Sequence, residues 1–326
     1  MKPLKLNSNL IKLVNILNDG QYHDGTTIGK SLNMTRSAVW KTIRKLTGYG
    51  IKIDSIKGKG YALQEPLILL NKQAIWKGLT HQNIEIEAVE NITSTNDYLK
   101  SFFHHATPRI CIAEQQTAGK GRFQRNWYAP FGKNIYLSCL YPFQMDVSEV
   151  TGLSLVISLA IIKTCHATAL PKSILVKWPN DVLYQEKKLA GNLIELQAES
   201  YGTCAAVIGI GINVNMLSTE NHPISQAWTS LREITGKYID RNSLLILLIN
   251  NLFIYLQRFE KQGLAGFIKE WEEVDCLLGK KVTLQGINNK ISGIVTGIDK
   301  HGHLVMKLKD GTTRSYASGD TTIMKK

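Results

Sequence analysis

The spacing of apolar residues changes along this 326-residue chain, and each change marks a different folding unit. Leu10, Leu13, Val14 and Leu17 recur at helical spacing, and Asn18-Asp19-Gly20 stops that helix. A short second helix fits 27–32. A third opens at Thr35 as N-cap and buries Val39, Ile43 and Leu46 at i, i+4 and i+7. The period then drops to two at Ile51, Ile53 and Ile56. A Lys57-Gly58-Lys59-Gly60 turn leads back into Tyr61-Ala62-Leu63. Three helices and a basic hairpin make a winged helix-turn-helix, and Glu65-Pro66 ends it, with 67–71 as the connection onward.

The rest of the chain follows two further patterns. Strand-like runs at 110–114, 135–141, 175–178, 189–196 and 205–213 alternate with helical patterns at 94–105, 150–166 and 241–259. This predicts a mixed α/β layer, sheet against helices. From about Gly279, runs at 282–284, 291–298, 304–308 and 313–316 alternate around Asp310-Gly311. No internal repeat is present, and the expected domains are 1–66, 67–276 and 277–326.

Composition narrows the function. At 44% hydrophobic and 20% charged residues the chain can bury a core, which excludes disorder. No apolar run reaches the roughly 18–20 residues of a membrane span. Lys12, Asn15 and Asn18 interrupt what would otherwise resemble a signal segment. The five cysteines show no C-x-x-C spacing, which suits a reducing cytoplasm and no structural zinc. The net charge of +13 is concentrated. Residues 1–65 carry eleven lysines and arginines against four acidic residues, so a fifth of the chain holds +7. A basic, separable amino-terminal module points to nucleic acid. Arg36, Ser37, Trp40, Lys41 and Arg44 share the polar face of the third helix. With Thr26, Thr35 and the wing residues Lys57 and Lys59 they are the expected DNA contacts, helix in the major groove and wing on phosphates. The alternative is a small helical domain with a solvated basic face.

Several central loops are candidates for chemistry. In Gln116-Thr117-Ala118-Gly119-Lys120-Gly121-Arg122-Phe123-Gln124-Arg125-Asn126-Trp127, two glycines alternate with cations, so backbone and charge can approach an anion together. It is not a Walker A loop, and on its residues alone a basic surface loop explains it as well. Lys177-Trp178-Pro179-Asn180-Asp181 and Lys187-Lys188-Leu189-Ala190-Gly191 form a tight return expected to bring Lys177 and Lys188 together, with an anion as one candidate between them. Gly209-Ile210-Gly211-Ile212-Asn213 lacks the third glycine of a dinucleotide site, and its glycines are expected to let a flat ligand lie on the sheet. Ser94-Thr95-Asn96-Asp97 is either an N-cap cluster or a recogniser of a polar head group. No Ser-His-Asp set, carboxylate pair or metal spacing emerges, so any chemistry rests on positive charge and positioning.

Taken in order, Ser94-Thr95-Asn96, Gly119-Lys120-Gly121-Arg122 through Arg125 and Trp127, Lys177-Trp178-Pro179-Asn180-Asp181, Lys188-Leu189-Ala190-Gly191 and Gly209-x-Gly211-Ile212-Asn213 closely resemble the biotin–protein ligases. With the winged helix in front, the resemblance is to the bifunctional ligase-repressors among them and runs essentially the whole length. It implies an α+β multidomain protein: the winged helix, a central mixed α/β domain like the class II aminoacyl-tRNA synthetase and biotin-lipoyl ligase catalytic fold, and a carboxyl-terminal SH3-like β-barrel. It implies that biotin's carboxylate attacks the α-phosphate of MgATP and that the biotinyl group passes from the adenylate to an acceptor lysine. Lys188, Arg122 and Lys120 are then catalytic. Biotin is held by Ser94, Thr95, Asn96, Gln116, Lys120, Gly121, Arg122 and Lys188. The adenylate is held by Gly119, Arg125, Trp127, Lys177, Asn180, Asn213 and Trp228. Asp181 either holds Mg²⁺ or orients a lysine. Expected partners are the biotin carboxyl carrier protein of acetyl-CoA carboxylase, biotin operator DNA and a second copy of the chain once adenylate is bound. The family loop usually reads Gly-Arg-Gly-Arg, and Lys120 departs from it, keeping charge without the bidentate fork. Two rivals are a ligase whose winged helix does not bind DNA and a lipoate or octanoate ligase. The second predicts a long apolar tunnel.

Overall fold

A computed structural model describes residues 4–168, 173–198, 203–220, 222–286 and 290–324. The chain enters as a two-residue strand, β1 (Leu4–Lys5), and Asn7 starts α1 (Ser8–Leu17) by accepting the Asn9 amide. Asp24 accepts the Thr26 and Thr27 amides, which starts α2 (Gly25–Leu32) two residues earlier than its apolar pattern indicates. Thr35 caps α3 (Arg36–Gly48), and β2 (Ile53–Ile56) and β3 (Gly60–Leu63) form the wing. The apolar stripes of the three helices meet: Leu13, Val14, Leu17, Val39 and Leu46 are fully buried.

Next come α4 (Lys72–Lys77), β4 (Glu85–Ile92), α5 (Thr95–Lys100), β5 (Arg109–Gln116), β6 (Ile135–Phe143) and α6 (Leu153–His166). Then follow β7 (Ile174–Lys177), β8 (Asp181–Tyr184), β9 (Lys187–Ala198), β10 (Cys204–Ile212), α7 (Leu231–Thr235), α8 (Arg241–Gln262) and α9 (Ile268–Glu272). The sheet runs β1-β4-β5-β6-β10-β9-β8-β7, with only β4 and β5 parallel to each other. Because successive strand residues face opposite ways, Ile110 and Ile112 pack with α6 and α8 on one face. Cys111 and Ala113 pack with Leu99 and Phe103 of the α5 region on the other. The pattern at 94–105 ends as a helix at Lys100, where Ser101 caps it and single turns follow. At the carboxyl end β11 (Lys281–Gln285), β12 (Lys290–Ile298), β13 (Leu304–Leu308), β14 (Thr313–Tyr316) and β15 (Asp320–Ile323) form an antiparallel sheet with one strand more than its pattern indicates. Buried Trp178 donates its indole N–H to the Gly302 carbonyl at 2.9 Å and accepts from Thr321 Oγ1, which fastens this sheet to the central unit.

The amino-terminal unit has its own core but is not loosely attached. Leu67, Leu69 and Phe131 are buried within its core, and Glu65 is bonded by Lys133 and Arg232. The connection itself is pinned. Glu114, fully buried, accepts the Leu70 amide at 2.5 Å and the Arg241 guanidinium at 2.7 Å. Arg241, equally buried, also donates to the Ile68 carbonyl at 2.7 Å and the Asn134 carbonyl at 3.2 Å. Asn242 adds bonds to the Leu69 carbonyl and the Asn71 amide.

A lone buried cation is far costlier than a paired one, so Glu114→Gln is expected to lower stability by about 3–5 kcal/mol, read as the shift in urea unfolding. A change under 1 kcal/mol would show that Arg241 finds solvent instead.

Candidate functional site

A cavity of about 900 Å³ opens on the sheet face that carries α5. Ser94 caps α5, its Oγ accepting the Asp97 amide. The following residues are held tightly: Thr95 donates its amide and hydroxyl to Gln116 Oε1 at 2.8 and 3.0 Å. Asn96 donates Nδ2 to Glu195 Oε2 at 2.9 Å, and its Oδ1 lies 2.5 Å from Ser138 Oγ. Ser138 also reaches Thr95 Oγ1 at 2.7 Å and is completely buried. Neither Ser138 nor Glu195 was singled out from sequence. A serine inside the apolar run 135–141 was the available signal.

The glycine loop is a small hairpin. The Trp127 amide donates to the Gly119 carbonyl at 2.8 Å, and the Gly121 amide to the Arg125 carbonyl at 2.7 Å. Its tip turns through Phe123 and Gln124 at φ of 53° and 58°. Gly119 is needed for close approach, since a Cβ there would lie 2.6 Å from the Trp127 carbonyl oxygen. At Gly211 a Cβ would lie 2.5 Å from the Trp127 ring, and at Gly209 2.3 Å from Asn96 Oδ1. The strand glycines therefore admit the chain's own Trp127 and Asn96, where a ligand was expected against the sheet.

Three of the four cations that line the cavity are paired with a carboxylate. Lys120 Nζ is 2.6 Å from Asp97 Oδ2, Lys188 Nζ is 2.8 Å from Asp181 Oδ1, and Arg125 is paired with Asp320. Arg122 reaches Asn180 Oδ1 at 3.4 Å, and burial pulls it below an ordinary guanidinium while Asp181 and Asp320 pull the other way. Burial raises the Asp97 carboxyl, but bonds to Lys120 and Lys100 outweigh it and hold the group below its usual value. Lys188 also sits 5.4 Å from the centre of the Trp127 ring. Its backbone is zipped to Ala227 and Thr229 beside Trp228, and Asn213 Nδ2 donates to its carbonyl.

Ser94, Thr95, Asn96, Gln116, Gly119, Lys120, Gly121, Arg122, Arg125, Trp127, Asn180, Asp181, Lys188, Asn213 and Trp228 thus line one cavity. Lys177 does not. It lies on β7, with β8 between it and the strand of Lys188, so the expected lysine pair is replaced by the ion pair of Lys188 with Asp181. Asp320 and Tyr49, from the two flanking units, line the cavity without having been read from sequence. Asp181 has one oxygen on Lys188, and no group of three or more His, Cys, Asp or Glu suited to a metal ion occurs among the described residues. The nine expected DNA contacts all lie exposed on the amino-terminal unit. Trp40 is 46% exposed, with the Arg44 guanidinium 4.9 Å from its ring centre.

Comparison with known proteins gives three family matches. Residues 88–213 match the biotin/lipoate A/B protein ligase family, residues 9–62 an HTH domain, and residues 277–321 the biotin protein ligase C terminal domain. The bifunctional ligase/repressor BirA of Escherichia coli is 37% identical over 321 residues, spanning 98% of each chain. Its namesake in Bacillus subtilis is 28% identical, over 91% of this chain and 93% of that one. Among solved structures, the biotin protein ligase from Aquifex aeolicus in complex with biotin and ATP superposes with a TM-score of 0.63 at 29% identity, covering 74% of this chain and 99% of that one.

The tie between Lys120 and Asp97 generates a prediction. Because the Asp97 carboxyl is held below its ordinary 3.8, the tie is present above that value and lost as pH falls through the lowered one. Asp97→Asn should speed amide exchange of the glycine loop about 3-fold at pH 7, a half-exposed pair being worth little more. The difference from wild type should vanish at pH below the Asp97 value. An equal exchange rate at pH 7 would show that the tie does not hold the loop.

Proposed function

We propose that this chain, which belongs to the biotin protein ligase family, joins biotin to ATP as biotinyl-5′-adenylate and passes the biotinyl group to a lysine. The winged helix makes it a repressor governed by the same intermediate. The observation that carries the reading is the convergence in one cavity of a rigid polar pocket, a set of carboxylate-matched cations and two tryptophans.

The polar pocket of Ser94, Thr95, Asn96 and Gln116 suits the ureido ring of biotin. Donors and acceptors there are pre-oriented by Ser138 and Glu195, so little ordering is left for binding. Trp127, Trp228 and Asn213 suit the adenine. Between these ends a carboxylate oxygen of biotin attacks the α-phosphorus, and pyrophosphate leaves with the broken P–O bond. Two anions must be brought together for this. Lys188 is positioned to meet both, exchanging Asp181 for the ligand, while Arg122 and Arg125 meet phosphate oxygens. The acceptor ε-amine then attacks the biotinyl carbonyl, an amide forms, and AMP leaves. Magnesium arrives with ATP as part of the substrate; the engaged Asp181 is assigned no step through it.

The acceptor is the lysine of a biotin carboxyl carrier domain, as in acetyl-CoA carboxylase. Repression requires two winged helices on paired half-sites. A surface for the second copy is available on β9. The part of that strand beyond Gly191 has β10 on one side and no strand of the described residues on the other, with Leu196 43% exposed. Such an edge pairs readily with another chain. By linkage, an intermediate that favours the dimer tightens operator binding, and operator DNA tightens retention of the intermediate by the same factor. Transfer to acceptor removes the intermediate, so repression reports that acceptor is fully biotinylated. Five buried cysteines, none of them in a disulfide, suit a cytoplasmic setting.

Incubation with biotin and ATP should yield adenylate and biotinylated carrier domain. Octanoyl or lipoyl transfer without biotin transfer would overturn the substrate. Lys188→Ala should slow adenylation on the order of 10²-fold, as expected for one preorganised charge. Operator binding should strengthen with biotin plus ATP and weaken with salt at about −0.9 per phosphate neutralised. Equal affinity with and without the intermediate would sink the coupling, and no specific binding in either state would leave a ligase alone.

A further inference from the structure

Tyr49 lies just past the last turn of α3, the helix that presents Arg36, Trp40 and Arg44, yet it lines the cavity of the central unit. Its ring stacks on Phe131, with centroids 4.4 Å apart and planes 8° from parallel. Its hydroxyl donates to Glu90 Oε1 at 2.7 Å, and Lys45 from the same helix reaches the same oxygen. Glu90 is wholly buried, and burial together with the carboxylate pushes the Tyr49 phenol above its usual range, so it remains a donor at all ordinary pH.

Both anchors lead into the site. Glu90 lies on β4, four residues before Ser94, and the carbonyls of Ile92 and Thr93 take the Thr117 and Ala118 amides. Phe131 ends the segment that begins at Trp127, and it is 1% exposed within the core of the amino-terminal unit. The segment thus has its far end plugged into the helix-turn-helix, with Tyr49 as the flat surface behind it. Removing the ring frees Phe131 to shift, and Trp127 with it.

We propose that Tyr49 is a positioning residue of the ligase site. Through Phe131 and Glu90 the end of the DNA-reading helix holds the Trp127 wall and the strand that carries Ser94 to Asn96, so one unit's recognition helix sets how firmly the other unit keeps its ligand. The inference rests on the ligase reading above.

The experiment uses the full chain with biotin and ATP, without DNA, and measures KM for both substrates, the rate of adenylate release and the maximal rate of transfer to a carrier domain. In Tyr49→Ala, release should quicken on the order of 10-fold and KM rise with it, the upper end of what one aromatic stack is worth. Maximal transfer should stay within about 2-fold, since no reacting atom is touched. Tyr49→Phe keeps the stack and should recover most of the retention. If Tyr49→Ala folds poorly, Tyr49→Leu fills the space without a stacking plane and should show the same split. Unchanged release in Tyr49→Ala or Tyr49→Leu would overturn the proposal. So would a Tyr49→Phe variant as defective as Tyr49→Ala, or a loss confined to maximal transfer. Failure of the wild-type chain to form adenylate overturns the ligase reading itself, and the inference with it.

Discussion

The ion pair of Glu114 with Arg241 is the constraint on which the assembly depends. Two opposite charges sit where water cannot reach either, so each is tolerable only because the other is in place. The pair also bonds the backbone of the connecting segment, at Leu70 and Ile68, and the Asn134 carbonyl. Glu114 lies two residues before Gln116, so the strand end that holds Thr95 is set by the same carboxylate that fixes the connection from the winged helix. Site geometry and domain placement therefore share one electrostatic cause.

The cavity applies the opposite logic. Its cations are partly solvated, and all but Arg122 are ion-paired, as Lys120 is with Asp97 and Lys188 with Asp181. Such pairs are weak in water, and weakness suits the task. An incoming anion trades one counter-ion for another and meets no deep trap. Lys120 in place of the customary arginine fits this arrangement, because a point charge on a flexible stem can leave Asp97 more easily than a bidentate fork.

Much of the fold was legible in the sequence wherever local chemistry decides structure. The cap Thr35, the stripe Val39, Ile43 and Leu46, and the hairpin glycines specify the third helix and the wing to within a few residues, whereas the Asp24 cap that starts the second helix went unread. The site loops were legible through ordered motifs, and fourteen of the fifteen expected biotin and adenylate contacts line one cavity. What escaped depends on distant packing. Strand β4 carries Glu85, Glu87 and Glu90 among its apolar residues, so its alternation reads as a polar stretch until Lys45 and Tyr49 arrive to satisfy Glu90. Ser138 looks like a blemish in an apolar strand until Thr95 and Asn96 lie over it. Lys177 was misplaced because sequence proximity to Asp181 does not reveal that β8 stands between it and Lys188.

Strand β1 has a mechanical consequence. Leu4 and Lys5 pair with Asn91 and Val89 at the sheet edge, while residues 67–71 leave the same helical unit and are hydrogen-bonded to Glu114 and Arg241 through Leu70 and Ile68. The helix-turn-helix is therefore held as a gate is held, by two fastenings and not one. A body on a single tether swivels through all angles, whereas one fastened at two points keeps a single axis. A reading helix so restrained keeps its heading relative to the sheet.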